Sequence, residues 1–448
     1  MIEKPPSWQK LFSPELFDKI TKSSEMKDII SKAQKEYVYW EKFKYYTFPT
    51  NITPEEAWAF LKINRISGDT TSIKSNNGKN FTYNTTKSLW QKLNFIDTHG
   101  AGLIKTFNDK PSEVQVSKYI ISGLTEEAIA SSQIEGANTT HRVAKEMILS
   151  ERKPRTKDEQ MILNNYRAMQ KLEEWKDLDL TEQMLLDLQA VLLDQTVEES
   201  DKDVVGRFRS DDDQIVVHDP LSGEIAHTPP KAEIMLKELK EMIKYANQPD
   251  NEDDEFVHPV IKAAILHFWL AYLHPFVDGN GRSARAIFYW YLLKKDYWLI
   301  QYISVSRSIK NSRKNYDNAF LYSEHDDNDL TYFLLYIANA FQKSIIQFLE
   351  YFERKLKEAE DIKKSSVLLE KFNIRQITLL QYFISHQDGY TDVITHQNKH
   401  GVSRITASTD LGSLVRDGYL RELRKGRKFI YMPNMLKIKK VLSKIKSI

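Results

Sequence analysis

Two strongly apolar stretches of helical periodicity, residues 258–272 and 282–295, are separated by one short loop that contains Pro275, Gly279 and Gly281. No other feature restricts the fold as much. The two stretches predict two strongly apolar helices in a mainly α chain, with the loop placed between them. Pro275 ends the first helix, because its ring blocks continuation and biases the residue before it out of the α region. The glycines open backbone conformations closed to other residues, so successive N–H groups can converge. The start of the second helix adds free N–H groups and the positive end of its dipole. The loop is therefore predicted to cradle an anion.

Helical period also runs through residues 112–193, 231–246 and 315–364. Thr181, with Met184 three residues on, reads as a capped helix start. Residues 205–230 break the pattern with hairpin signals: an apolar run at 215–217, a turn at 219–223, then 224–227 closing at Pro229 and Pro230. An acidic loop is expected at 248–255. Residues 1–110 are expected to form an N-terminal helical region with helices at 36–46, 54–63 and 87–95, the last with Leu89, Trp90 and Leu93 on one side. A polar loop at 67–80 and a short strand at 81–83 interrupt it.

Charge divides the chain. From residue 363 to 448 there are 17 Lys and Arg against 6 Asp and Glu, although the whole chain is formally only +2. A basic module is thus appended to a mildly acidic body, and basic modules often meet nucleic acid. Helical stretches at 368–384, 391–400 and 403–416, then a hairpin at 420–431 turning near Gly426, predict a winged helix-turn-helix domain over 365–448. Residues 403–416 would be its recognition helix, and Arg404, Arg424, Lys425, Arg427 and Lys428 its candidate phosphate contacts. Winged helices also dock proteins, so DNA and protein both stay open as partners.

The absence of cysteine excludes disulfides, thiolate metal sites and a thiol nucleophile, and fits a reducing cytosol. No window approaches the roughly 18 apolar residues of a membrane helix, and the first residues lack an apolar signal segment. The expectation is a cytoplasmic protein with no membrane partner.

The loop also carries chemistry. Arg282 and Arg285 lie three apart in the first helical turn, on neighbouring faces that suit two phosphates of one chain. Asp278 is an oxygen ligand beside the cradle, suited to a Mg²⁺ ion bridging phosphates. His274 is the one group there that exchanges a proton near pH 7. Base, carboxylate, anion loop and guanidinium pair together describe phosphoryl or nucleotidyl transfer. Each piece alone is also consistent with an ordinary helix cap and turn. Three consecutive aspartates, 211–213, invite a metal reading or that of a solvated loop.

The segment His274-Pro-Phe-Val-Asp278-Gly279-Asn280-Gly281-Arg282-Ser-Ala-Arg285 resembles, position for position, the Fic signature His-x-Phe-x-Asp/Glu-Gly-Asn-Gly-Arg-x-x-Arg. The resemblance implies a helical Fic core with a β-hairpin flap, covering residues 111–350, that moves AMP from ATP to a Ser, Thr or Tyr hydroxyl of a target protein. It implies His274 as the base, Asp278 as the Mg²⁺ ligand, Gly279, Asn280 and Gly281 as the phosphate cradle, and Arg282 and Arg285 on the outer phosphates. Retention of Arg285 favours adenylylation over kinase-type transfer. Ser131-Ser-Gln-Ile-Glu135-Gly136 is similar to the family's inhibitory motif, Ser/Thr-x-x-x-Glu-Gly/Asn, which implies that Glu135 pairs with Arg285 and blocks the γ-phosphate. The hairpin at 205–227 stands where relatives have the flap that receives a target strand, and Tyr316 where they have an adenine or ribose contact. Self-modification and a homodimer also follow as expectations. Two other readings stay open: a nucleotide-sensing DNA-binding regulator, and transfer of another phosphate-linked group.

Overall fold

The computed structural model describes residues 2–66, 68–101, 113–219, 222–249, 256–364, 371–425 and 428–443. It is mainly α, with three separate two-stranded antiparallel hairpins among the described residues. At its centre lie helices Pro259–Leu273 and Asn280–Lys294, packed against each other. All but one residue from Val260 to Leu273 is buried, and so is every residue of the second helix from Arg282 to Leu293. Trp269, Trp290, Phe268 and Phe288 fill the space between neighbours. Helices Glu113–Ile134, Lys157–Glu174, Glu182–Leu193, Ala232–Asn247 and Thr331–Lys364 surround the pair. Thr181 caps its helix as expected, accepting from the Met184 N–H at 3.1 Å.

The N-terminal region packs a second apolar cluster against this body. The helix expected at 54–63 is present as Pro54–Ile63, started by a Thr53/Glu56 capping box. That expected at 36–46 is not. Helix Ser24–Glu36 ends there, with Tyr37 in the left-handed region at φ 48°, and only the single turn Trp40–Phe43 follows. Tyr37, Val38, Tyr39 and Trp40 are all buried. The left-handed turn at Tyr37 closes the helix and Tyr39 follows in extended backbone, so the aromatic run does not continue the helical turn. The polar stretch expected as a loop instead contains strand Asp69–Lys74, paired antiparallel with Asn80–Tyr83. Thr71 and Ile73 point inward and their neighbours outward, an alternation that the polar composition conceals. Helix Lys87–Ile96 buries Leu89 and Leu93 but leaves Trp90 half exposed.

Beyond the long helix Thr331–Lys364 come helices Ile374–Ser385, Val393–His400 and Arg404–Arg416 and a hairpin, Leu420–Lys425 with Lys428–Pro433. A further helix, Met435–Ser443, was not expected. These elements enclose a core of their own, including Ile377, Leu380, Phe383, Leu411, Leu414 and Tyr431. Buried Asp410 gathers Arg375, His396 and Asn373. The unit touches the central body where Tyr390 donates to Glu146 at 2.7 Å and Asn398 Nδ2 to the Leu149 carbonyl at 2.9 Å. Expected features at Pro220, Leu221, 250–255, 365–370, Gly426 and Arg427 lie outside the described residues. No helix among the described residues is long and apolar enough to cross a membrane.

Candidate active site

The loop 274–279 is fixed by reciprocal short-range bonds. Asn280 Oδ1 accepts from the Phe276 N–H at 2.9 Å, while its Nδ2 donates to the Phe276 carbonyl at 2.8 Å. Phe276 is buried and stacked on Phe208 at 5.6 Å. Gly279 takes φ +92°, which a side chain would strain, and immediately precedes the second central helix.

His274 occupies the left-handed region at φ 48° and ends the first central helix. Its Nδ1 lies 3.3 Å from the Ala271 carbonyl, so the proton belongs on Nδ1 and the lone pair on Nε2. Burial pushes its pKa down to about 4. The ring is therefore a neutral imidazole near pH 7.

Asp278 is the exposed member, with 61% of its side chain accessible. One carboxylate oxygen, Oδ1, meets Arg282 Nη2 at 3.2 Å. Arg282 is itself only 2% exposed and also donates to the Leu192 carbonyl at 3.0 Å, leaving a buried Nε with no hydrogen-bond partner among the described residues. The two arginines thus diverge rather than stand side by side. Arg285, equally buried, turns to the helix Glu113–Ile134: its Nε donates to Ser131 Oγ at 2.9 Å, and its Nη2 to the Ser131 carbonyl at 3.0 Å and Glu135 Oε1 at 2.9 Å.

Gly136, at φ +97°, stops that helix just past Glu135, where a carboxylate faces the unfavourable end of the dipole. Burial also pushes the Glu135 carboxyl upward, yet the Arg285 guanidinium, with Arg282 and Arg313 near it, overrides both and holds it below the usual carboxylate range. A Cβ built on Gly281 would overlap Glu135 Oε1. The carboxylate therefore sits directly over the first turn of helix Asn280–Lys294.

Tyr316 is 6% exposed, with its ring among Phe320, Phe333 and Tyr336 and its hydroxyl 2.8 Å from His267 Nε2. The residue expected as an adenine or ribose contact is thus a buried side chain packed beside Arg285. The three aspartates at 211–213 form a 3-10 turn rather than a metal nest. Asp213 pairs bidentately with Arg207, Asp211 accepts from the Ala232 N–H, and no cluster of three or more potential ligands occurs among the described residues. The expected hairpin is confined to Val217–His218 and Ile225–His227. Residues 205–216 are not strand.

Two residues that sequence reasoning missed hold the loop in place. Buried Arg209 donates from Nε to the His274 carbonyl at 2.8 Å, and from Nη2 to the carbonyls of Pro230 and Leu273. Gln189 donates to the carbonyls of Val204 and Asp278 and accepts from the Gly206 N–H at 2.7 Å. A lone amide within the run of leucines at 185–193 was the available signal for Gln189. His227 spans Glu324 and the Tyr272 carbonyl, each at 2.8 Å, and so pins the hairpin beside His274. Burial alone would lower its pKa, but Glu324 raises it.

Residues 179–292 match the family model described as Fic/DOC family. A protein adenylyltransferase Fic of Nematostella vectensis is 38% identical over 82 residues, 18% of this chain and 16% of that protein. One from Drosophila virilis is 31% identical over 108 residues, 24% of this chain and 21% of its own length. The chain therefore spans less than a quarter of each of these relatives. A Fic family protein from Desulfovibrio desulfuricans superposes with a TM-score of 0.47 at 18% identity, over 79% of this chain and 98% of that one.

Proposed function

We propose that this protein is an adenylyltransferase that moves AMP from ATP onto a hydroxyl side chain of a protein, and that Glu135 holds it inactive. The observation that carries the reading is a single loop joining a neutral imidazole with a free Nε2 to an anion seat. Nε2 of His274 would take the proton of the target hydroxyl as its oxygen attacks the α-phosphorus. The bond from that phosphorus to the oxygen bridging the α- and β-phosphates breaks, and pyrophosphate leaves.

Gly279, Asn280 and Gly281 would present backbone N–H groups to the phosphates, and Arg285 would clamp the outermost one once Glu135 withdraws. The buried, unpartnered Nε of Arg282 is a donor suited to the same anion. Asp278 fits a Mg²⁺ ion: an exposed carboxylate whose Oδ2 accepts no hydrogen bond among the described residues, at the edge of the cradle, suits an ion that keeps waters and phosphate oxygens as its other ligands. That ion would supply charge neutralisation on the phosphates. Hairpin Val217–His227 would receive the target segment by strand addition.

The deciding experiment incubates the full chain and its Glu135→Gly variant with a cell extract and ATP labelled either at the α- or at the γ-phosphate. Protein labelled from α alone is the expected result, stronger in the variant. Label from γ alone, or none from either, overturns the reading.

A second activity is favoured by a separate observation. We read the C-terminal unit as a winged helix whose helix Arg404–Arg416 leaves Ile405 80% exposed, next to the basic hairpin. Duplex DNA bound there would be lost steeply with added salt, as counterion release requires. Binding that is absent or insensitive to salt assigns the surface to a protein instead.

A further inference from the structure

Helix Glu113–Ile134 carries a second buried carboxylate that the transfer chemistry does not use. Glu127 is 1% exposed. Its Oε2 accepts from the Tyr289 hydroxyl at 2.5 Å, Ser304 Oγ at 2.8 Å and the Ser306 N–H at 3.0 Å, and its Oε1 accepts from Ser306 Oγ. No cation stands within ion-pair distance of it among the described residues.

The placement of this carboxylate relative to Glu135 is informative. Glu127, Ser131 and Glu135 follow one another at intervals of four, so they line one face of the helix and its end. On the facing helix, Arg285 and Tyr289 are also four apart. The two helices therefore meet in two rungs: Arg285 takes Ser131 and Glu135, and Tyr289 takes Glu127. On the facing helix the rungs, at Arg285 and Tyr289, lie about 6 Å apart at 1.5 Å per residue. Apolar packing alone tolerates small slides and rotations of one helix on another. A buried carboxylate surrounded by four donors does not, because any shift strands a polar group away from water. Fixing register is the best-attested use of a buried polar group. Leu or Met would pack the same space without specifying where the helix stops.

We propose that Glu127 is a positioning residue for autoinhibition: it sets the register and rotation of helix Glu113–Ile134 so that Glu135 meets Arg285, and thereby determines how firmly the anion seat is closed. This inference rests on the adenylyltransferase reading and on inhibition by Glu135.

The test measures AMP incorporation from α-labelled ATP by the full chain as wild type, Glu127→Gln, Ser306→Ala, Glu135→Gly and the double variant Glu127→Gln with Glu135→Gly. Circular dichroism checks that each is folded. Glu127→Gln is expected to raise incorporation several-fold, by less than Glu135→Gly, and the double variant to match Glu135→Gly alone, because both changes act through one contact. A merely structural Glu127 would instead lower activity in both backgrounds. Ser306→Ala removes one donor and leaves the carboxylate in place, so it decides the matter if Glu127→Gln fails to fold: a gain supports the proposal, and wild-type activity overturns it. Should Glu135→Gly itself show no gain, inhibition through Glu135 fails and this proposal falls with it. If Glu135→Gly is activated while folded Glu127→Gln is not, only the role of Glu127 is lost.

Discussion

The loop after His274 and the hairpin beside it lie on the same side of the molecule but are built to different standards. Every turn of the loop is tied by a named bond: Asn280 to both backbone groups of Phe276, Gln189 to the Asp278 carbonyl, and Arg209 to the His274 carbonyl. The hairpin has two register pairs with an irregularity between them, and Ile225 is 54% exposed. Positioning reacting groups requires rigidity on the scale of tenths of an ångström, whereas a strand that pairs through main-chain bonds can accept many sequences. Under the proposed function, the difference suits the loop to the chemistry and the hairpin to the choice of target.

The largest expected effect is at the rigid end. His274→Ala should lower AMP transfer by about 10²- to 10⁴-fold, the usual contribution of a positioned base, while nucleotide still binds. Titration calorimetry with ATP beside the labelling assay separates the two, and full transfer by the variant would remove His274 from the mechanism. At the soft end, Ile225→Asp should raise the KM for a protein target about tenfold, equivalent to about 1.4 kcal/mol, with nucleotide affinity unchanged. Equal losses for target and nucleotide would mean that hairpin and loop form one unit.

The smallest effect concerns pH. Because burial holds His274 near pKa 4, the base stays neutral, and kcat should change less than about twofold between pH 5 and 7 through this group. A limb centred near 6.5 would show that the imidazole is solvated in the working enzyme. Stability should behave differently. Between about 4 and the unfolded value of about 6.5, the unfolded chain binds the proton that folded His274 refuses, and buried His267, pushed down to about 3, adds to this. Melting temperature should therefore fall on acidification through that window.

How much of this was legible in the sequence depended on distance along the chain. The loop between the two central helices could be read because its residues are consecutive, and the pairing of Glu135 with Arg285 because its motif is compact. The strand at 69–74 was hidden by polar composition, and the aromatic run at 37–40 imitated a helix because burial on all sides leaves no period to detect. Arg209, Tyr289 and Ser306 carry no local mark, since each acts only where folding has brought a distant carbonyl or carboxylate to it. Glu127 had a faint mark, its spacing of four from Ser131, which becomes meaningful only with the facing helix in view. Tyr316 gave no sign in sequence of Phe333 and Tyr336, the aromatic neighbours from another helix that help to bury it.

Arg285 has one further consequence. It is 2% exposed, its neighbours His267 and Tyr316 are neutral, and among the described residues Glu135 is the one anion within ion-pair distance. A chain that loses Glu135 gains a buried, unpaired cation, at a cost of a few kcal/mol of folding free energy. Bound nucleotide would return about 2.7 kcal/mol at a hundredfold excess over its Kd. Under the proposed function, a form without Glu135 would be durable only where nucleotide is plentiful, and in a cell it would be cleared faster when ATP runs short.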